Sequence, residues 1–255
     1  MKFEELRDFL NEKADFYNTS DFIADDPVKI PHQFSLKQDI EIAGFLTAVI
    51  SWGNRKSIIK DAEKMMEWMG KSPYDFILNH QTSDLDFVEN KAVHRTFSAE
   101  DFRFFASALK RIYQKYDSME YLFLTENEEE NFRHAIERFR TEFFLENPTH
   151  RSTKHISSPY KNSSSKRLMM FLRWMVRNDR KGVDFGIWDR INPAFLSVPL
   201  DVHTGNISRK LSLVSRKQND WKTVEEMDHV LRKFDDKDPA KYDFALFGLG
   251  VSGDF

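Results

Sequence analysis

Ser98-Ala99-Glu100-Asp101-Phe102-Arg103-Phe104-Phe105-Ala106-Ser107-Ala108-Leu109-Lys110-Arg111-Ile112-Tyr113-Gln114-Lys115-Tyr116 decides the fold class. Within it Phe102, Phe105, Ala106, Leu109, Ile112, Tyr113 and Tyr116 recur at steps of three and four, the period of one helix face, and Ser98 stands where a side chain would cap the first turn. The same period runs through Phe132, Ala135, Ile136, Phe139 and Phe143, and through Val224, Met227, Leu231 and Phe234. Pro239 opens a last helix through Phe244, Leu246 and Phe247. Ile40 to Ile50 is apolar on nearly every side, the pattern of a helix buried all round, with Gly53 as its expected end. No strand-like alternation and no internal repeat interrupts these patterns. The expectation is an all-α fold, a two-lobed helical bundle.

Composition agrees. The 255 residues include 24 phenylalanines but only 9 glycines and 8 prolines, a balance suited to helices packed through large side chains with few tight turns. With no cysteine, disulfides, Cys-ligated zinc and iron–sulfur clusters are excluded. Neither an apolar signal core at the N-terminus nor a run of about 18 apolar residues is present, so the expected location is cytoplasmic and off the membrane.

The net charge of −3 hides an asymmetry. From Asp117 to Glu146 nine acidic residues face three arginines, a net of −6; from Arg151 to Lys181 nine basic residues face Asp179 alone, a net of +8. Arg209, Lys210, Arg216 and Lys217 extend the basic character. Two solvated faces that balance each other are the ordinary reading of such runs, and a stripe for an anionic partner is the alternative. Two stretches are irregular: Asp25 to Phe34, with Pro27 and Pro31, and Asn147 to Ser165, rich in Ser, Thr, His and Lys. The second separates an N-terminal helical part, about 1–150, from a C-terminal part, about 151–255, too short to fold alone, so the chain reads as one two-lobed unit.

Two segments carry candidate chemistry. In Asn162-Ser163-Ser164-Ser165-Lys166-Arg167-Leu168-Met169-Met170-Phe171-Leu172-Arg173 the serines are placed to cap a helix, leaving its first backbone N–H groups beside Lys166 and Arg167, an arrangement that holds phosphate. In Pro199-Leu200-Asp201-Val202-His203 the aspartate stands where another helix begins, as a cap or as a working carboxylate. Asp201 and His203 alone do not make a metal site.

Pro199-Leu200-Asp201-Val202-His203 followed by Arg209-Lys210-Leu211 resembles the Val-Asp-Thr-His or Val-Asp-Val-His segment of endonuclease III and the 8-oxoguanine glycosylases, of the helix-hairpin-helix DNA glycosylase superfamily. Lys166-Arg167-Leu168-Met169-Met170-Phe171-Leu172-Arg173 resembles the nucleophile helix of the archaeal 8-oxoguanine glycosylases, and the whole chain resembles a group of bacterial proteins of unknown function. The resemblance implies a base-excision-repair glycosylase, with AP lyase activity, acting on damaged double-stranded DNA, with no cofactor and no metal. Lys166 would attack the sugar C1′ and Asp201 would stabilise the cationic sugar. Asn162, Ser163, Ser164, Ser165, Arg167, Arg173, Asn54, Arg55, Arg209 and Lys210 would contact DNA, and Trp52, His203 and Trp188 would line the base pocket. Such a protein would be nucleoid-associated. This chain departs from the family in lacking the two hairpin glycines, where it has Asn162 and Ser163 to Ser165, and in the 35 positions between Lys166 and Asp201, which imply an insertion between Lys181 and Pro193. Rival expectations are a non-catalytic DNA-binding helical protein and a metal-dependent phosphohydrolase using Asp201, His203, Asp228 and His229.

Overall fold

The computed structural model describes residues 2–88, 92–126 and 128–253, and every candidate site residue lies among them. Eleven α-helices follow one another in the described residues: α1 (Phe3–Tyr17), α2 (Asp21–Ala24), α3 (Lys37–Val49), α4 (Arg55–Trp68), α5 (Pro73–Asn79), α6 (Ala99–Lys115), α7 (Arg133–Phe143), α8 (Lys166–Val176), α9 (Val202–Lys210), α10 (Trp221–Phe234) and α11 (Tyr242–Ser252). Among the described residues the sheet is a single antiparallel pair, β1 (Ala92–His94) and β2 (Phe97–Ser98), with Ala92 opposite Ser98 and His94 opposite Phe97. The fold is all-α.

The chain divides into two compact units that interleave in sequence. The first takes the described residues of Met1–Phe22, Thr125–Ile136 and Ser158–Phe255, the second those of Ile23–Leu124 and Glu137–Ser157. Thus α1 belongs with the C-terminal helices rather than with the helices that follow it.

In the second unit α3 is central. Every side chain from Ile40 to Val49 is buried, and α4 and α5 pack on it while α6 packs on α5. The helix ends one turn earlier than the glycine would place it: Ile50 is its C-cap, and Gly53, at φ +101°, sits in the turn that leads to α4. There the Arg95 guanidinium comes within 2.3 Å of where a Cβ would stand, so that turn admits glycine alone without rearrangement. Helix α6 starts as its sequence requires, with a capping box in which the Ser98 side chain accepts from the Asp101 amide and Asp101 accepts from the Ser98 amide at 2.8 Å.

In the first unit α11 packs on both α1 and α9. Gly248 makes the α1 contact possible, since a Cβ there would lie 2.3 Å from the Tyr17 ring. Pro239 opens a 3-10 turn, Pro239–Lys241, and α11 itself starts at Tyr242. The segment from Lys181 to Asn192 forms no helix or strand, Pro193 opening a 3-10 turn (Pro193–Phe195), yet it buries Val183, Asp184, Trp188 and Ile191.

Candidate functional site

The site is built where α8 and α9 begin. A 3-10 turn, Pro159–Lys161, capped by the Ser158 side chain, ends at Asn162, whose backbone is left-handed (φ 62°, ψ 22°). The Asn162 side chain donates to Asp220 at 3.1 Å and its carbonyl accepts from the Trp221 amide at 3.2 Å. Ser163 pairs with Asp220 in an isolated bridge, and the Ser164 hydroxyl donates to the Leu200 carbonyl at 3.3 Å. These bonds fix the turn against the segments that precede α9 and α10.

The expected serine cap takes another form. Ser165 is the N-cap of α8 but makes no side-chain cap bond; it too is left-handed (φ 48°), and its amide donates to Ser163 Oγ at 3.1 Å. A non-glycine residue in that region costs about 1–2 kcal/mol. The two left-handed positions of the turn are therefore held by Asn162 and Ser165, by local hydrogen bonding rather than by glycine.

Lys166 is the first residue of α8, and the helix buries Leu168, Met169, Phe171, Leu172, Trp174, Met175 and Val176. Val198 and Leu200 are buried, bringing Asp201 to the N-cap of α9, where its side chain accepts from the Thr204 amide at 2.9 Å and its carbonyl accepts from Asn219 Nδ2 at 2.8 Å. This leaves Oδ2 of Asp201 facing Lys166, 3.7 Å from Nζ. The lysine side chain is 30% exposed and the aspartate 19%, so the pair is reachable from solvent yet partly desolvated.

Other candidates are placed unevenly. Arg167 is half-buried, and loss of solvent draws its guanidinium down to about 10. Lys210 and His203 line a groove of about 360 Å³ with Asn206, Ile207, Leu249 and Gly250; the His203 ring bonds through Nδ1 to the Gly250 carbonyl at 3.1 Å. Arg209 is turned to other work, donating to the carbonyls of Arg216 (2.7 Å) and Gln218 (3.1 Å) and to Asn219 Oδ1 (2.6 Å), so it braces the loop after α9.

Two expectations are corrected by burial. Arg173, expected among the DNA contacts, is 3% exposed, paired with Asp184 and Asp243, with its guanidinium 4.4 Å from the Phe244 ring centroid. Trp188, expected to line a pocket, is 1% exposed and packs edge-on against Phe171 at 5.3 Å. Both follow from the inward face of α8, where apolar packing carries the neighbouring side chains into the core.

Trp52, Asn54 and Arg55 belong to the second unit. Trp52 stacks on His155 at 5.8 Å, meets His94 edge-on at 5.1 Å and accepts a bond from His94 Nε2 at 3.0 Å through its carbonyl. Asn54 caps α4, accepting from the Ser57 amide at 3.1 Å, and the partly exposed Arg55 is that helix's first residue.

Sequence reasoning missed two buried polar groups. One surrounds Asp101 in the second unit: burial raises its carboxyl, but His155, Ser98 and Ser152 together hold it well below the usual carboxylate range. The other is the arginine–aspartate set on α8. Its signal lay in the lone acids set among apolar neighbours, Asp184 between Val183 and Phe185 and Asp243 between Tyr242 and Phe244.

Among the described residues no group of three or more His, Asp or Glu side chains is arranged to hold a metal ion. Asp228 is buried, accepting from Ser197 at 2.6 Å and pairing with Arg232 at 3.1 Å. None of the described helices is long and apolar enough to cross a membrane.

The molecule is thus an all-α protein with a lysine–aspartate pair at the starts of two helices. Residues 26–252 match the family described as a protein of unknown function, DUF2400, and the chain belongs to that family. No curated protein and no solved structure matches the chain.

Proposed function

We propose that the protein is a base-excision DNA glycosylase with AP lyase activity, removing a damaged base, an oxidised purine being the first candidate, from duplex DNA. The observation that carries the reading is the 3.7 Å approach of Lys166 Nζ to Asp201 Oδ2 across 35 positions of sequence, each residue at the start of its helix. A glycosidic bond is unreachable in the stack, so the nucleotide must be rotated out to the pair. Asp201 is the acceptor placed to take the ammonium proton from Lys166. The neutral amine then attacks C1′ as the bond from C1′ to the base breaks and the base leaves with the electron pair. Asp201 passes the proton on to the departing base and, a carboxylate again, stabilises the positive charge that builds on the sugar. Ring opening gives an imine, through which the strand is cut by elimination of the 3′ phosphate. Lys210, at the end of α9, and Lys161, Arg180 and Lys181 supply exposed cations for phosphate, and binding of that kind weakens steeply with salt.

The test is a panel of duplexes carrying oxidised, deaminated or alkylated bases, scored for base release. Wild-type protein is expected to release at least one of them, and Asp201→Asn to slow that release by about 10²–10³-fold. Salt-sensitive binding with no base released from any duplex would make the protein a binding module instead.

A further inference from the structure

Residues 211–220, which join α9 to α10, form no helix or strand, so side chains meet much of their backbone. The carbonyls of Arg216 and Gln218 accept from Arg209 at 2.7 and 3.1 Å, and the Ser215 amide donates to Glu226 at 2.7 Å. The last two residues of the segment reach the two halves of the site. Asp220, the N-cap of α10, accepts from Asn162 Nδ2 at 3.1 Å and pairs with Ser163 in the turn before Lys166. Asn219 donates through Nδ2 to the Asp201 carbonyl at 2.8 Å.

The Asn219 amide can sit only one way. Arg209 Nη2 donates to Asn219 Oδ1 at 2.6 Å, and a guanidinium has no acceptor, so the oxygen must face Arg209 and the NH2 group the Asp201 carbonyl. That carbonyl also accepts from the Gly205 amide at 2.9 Å, within the first turn of α9. Asn219 passes over this glycine: a Cβ there would stand 2.5 Å from Asn219 Oδ1 and 2.9 Å from Arg209 Nη1. A poor helix former thus stands inside α9 at the position where the asparagine needs room. With the Asp201 carbonyl held by Asn219 and its Oδ1 held by the Thr204 amide at 2.9 Å, Oδ2 is left in one setting, 3.7 Å from Lys166 Nζ.

We infer that Asn219 is a positioning residue for Asp201: braced by Arg209 and seated over Gly205, its amide fixes the backbone from which the carboxylate is presented to Lys166. The inference rests on the proposed function only in taking Lys166 and Asp201 as the working pair. Because Asp220 grips the turn before Lys166, two adjacent residues of one loop set the spacing of a pair that lies on two helices.

Zero-length carbodiimide coupling, which joins an amine to a carboxylate it touches with loss of water, tests it. The yield of the Lys166–Asp201 amide is read by mass spectrometry against that of Lys241–Asp235, a pair of like exposure at 2.5 Å in the same unit. Gly205→Ala puts a better helix former into α9 and leaves Asp201 and Asn219 unaltered, so the fold is kept while the new methyl group drives the amide off the Asp201 carbonyl. It is expected to lower the yield ratio by about threefold or more, the shift that loss of one hydrogen bond allows. Asn219→Asp, which keeps the acceptor for Arg209 but sets an oxygen against the Asp201 carbonyl, is expected to lower it as far, and Asn219→Gln, which keeps an amide, to lower it less. A wild-type ratio in Gly205→Ala or in Asn219→Asp, a fall of both yields together, or a fall as deep in Asn219→Gln as in Asn219→Asp overturns the inference. The coupling uses no DNA, so its failure is distinct from a failure of the glycosylase reading, which the lesion panel decides.

Discussion

The second unit is built around phenylalanine rings and the first around a helix that turns arginines inward, and the two interiors obey different rules. Phe45 stacks on Phe105 at 5.8 Å and meets Phe139 at 5.5 Å and Phe143 at 5.6 Å, all four rings fully buried. Such a cluster gains stability from the apolar area it removes from water and from close packing. Arg173, on the inward face of α8, and Arg177, its C-cap, stand among four carboxylates. Buried ion pairs add little stability over apolar replacements; what they supply is a fixed geometry, penalised heavily when one partner is lost. The aromatic interior is held by packing, whereas the charged one is held by paired charges along the helix that begins at Lys166.

The largest expected effect lies in the aromatic cluster. Phe45→Ala should cost about 3–5 kcal/mol in urea unfolding, because the surrounding rings cannot close the hole. Arg173→Met should cost about 3 kcal/mol or more by stranding Asp243 and leaving Asp184 with Arg177 alone. Combining it with Asp184→Leu and Asp243→Leu should recover most of that loss, and failure to recover would show that the charges are held for stability after all. Ser98→Ala, which removes the cap of α6, should cost about 1 kcal/mol.

The pH dependence sharpens the contrast further. Burial raises the carboxyls of Asp228 and Asp243 to about 6, opposed in turn by Arg232 and Arg173, so the folded chain binds their protons more tightly than the unfolded one. That contribution favours folding as pH falls from above about 6 towards 4. Asp220 behaves oppositely: burial raises it, but bonds from Arg216, Thr223 and Asn162 hold it at about 2, and Asp101 is held low as well. Their stabilisation is present above about pH 4 and is lost as pH falls through the folded values. Stability measured by chemical denaturation should therefore peak between about pH 4 and 6, and Asp228→Asn should flatten the rise on the neutral side of that peak.

The helices were legible because a 3.6-residue period survives any tertiary arrangement, as in α6 and α10. The end of α3 was not, because Gly53 punctuates a turn rather than the helix. Nor was the interleaving of the units, since the fit of the Tyr17 ring against Gly248 and the contact of Phe22 with Phe244 at 5.4 Å join residues more than two hundred positions apart. The approach of Lys166 to Asp201 could not be read from periodicity or spacing, because it is set by tertiary bonds such as that from Ser164 to the Leu200 carbonyl. Counting charges along the chain treated Arg173 as surface, although the apolar residues flanking it on α8 marked its face as inward.

The most direct measurement of the central claim is to map the crosslink formed when the protein is incubated with borohydride and duplex DNA carrying an abasic site or an oxidised purine. The account predicts a reduced sugar adduct on the peptide containing Lys166, absent from Lys166→Gln, which keeps its affinity for the duplex. An adduct on Lys154, Lys161 or Lys210 with Lys166 unmodified, or wild-type trapping by Lys166→Gln, would contradict it.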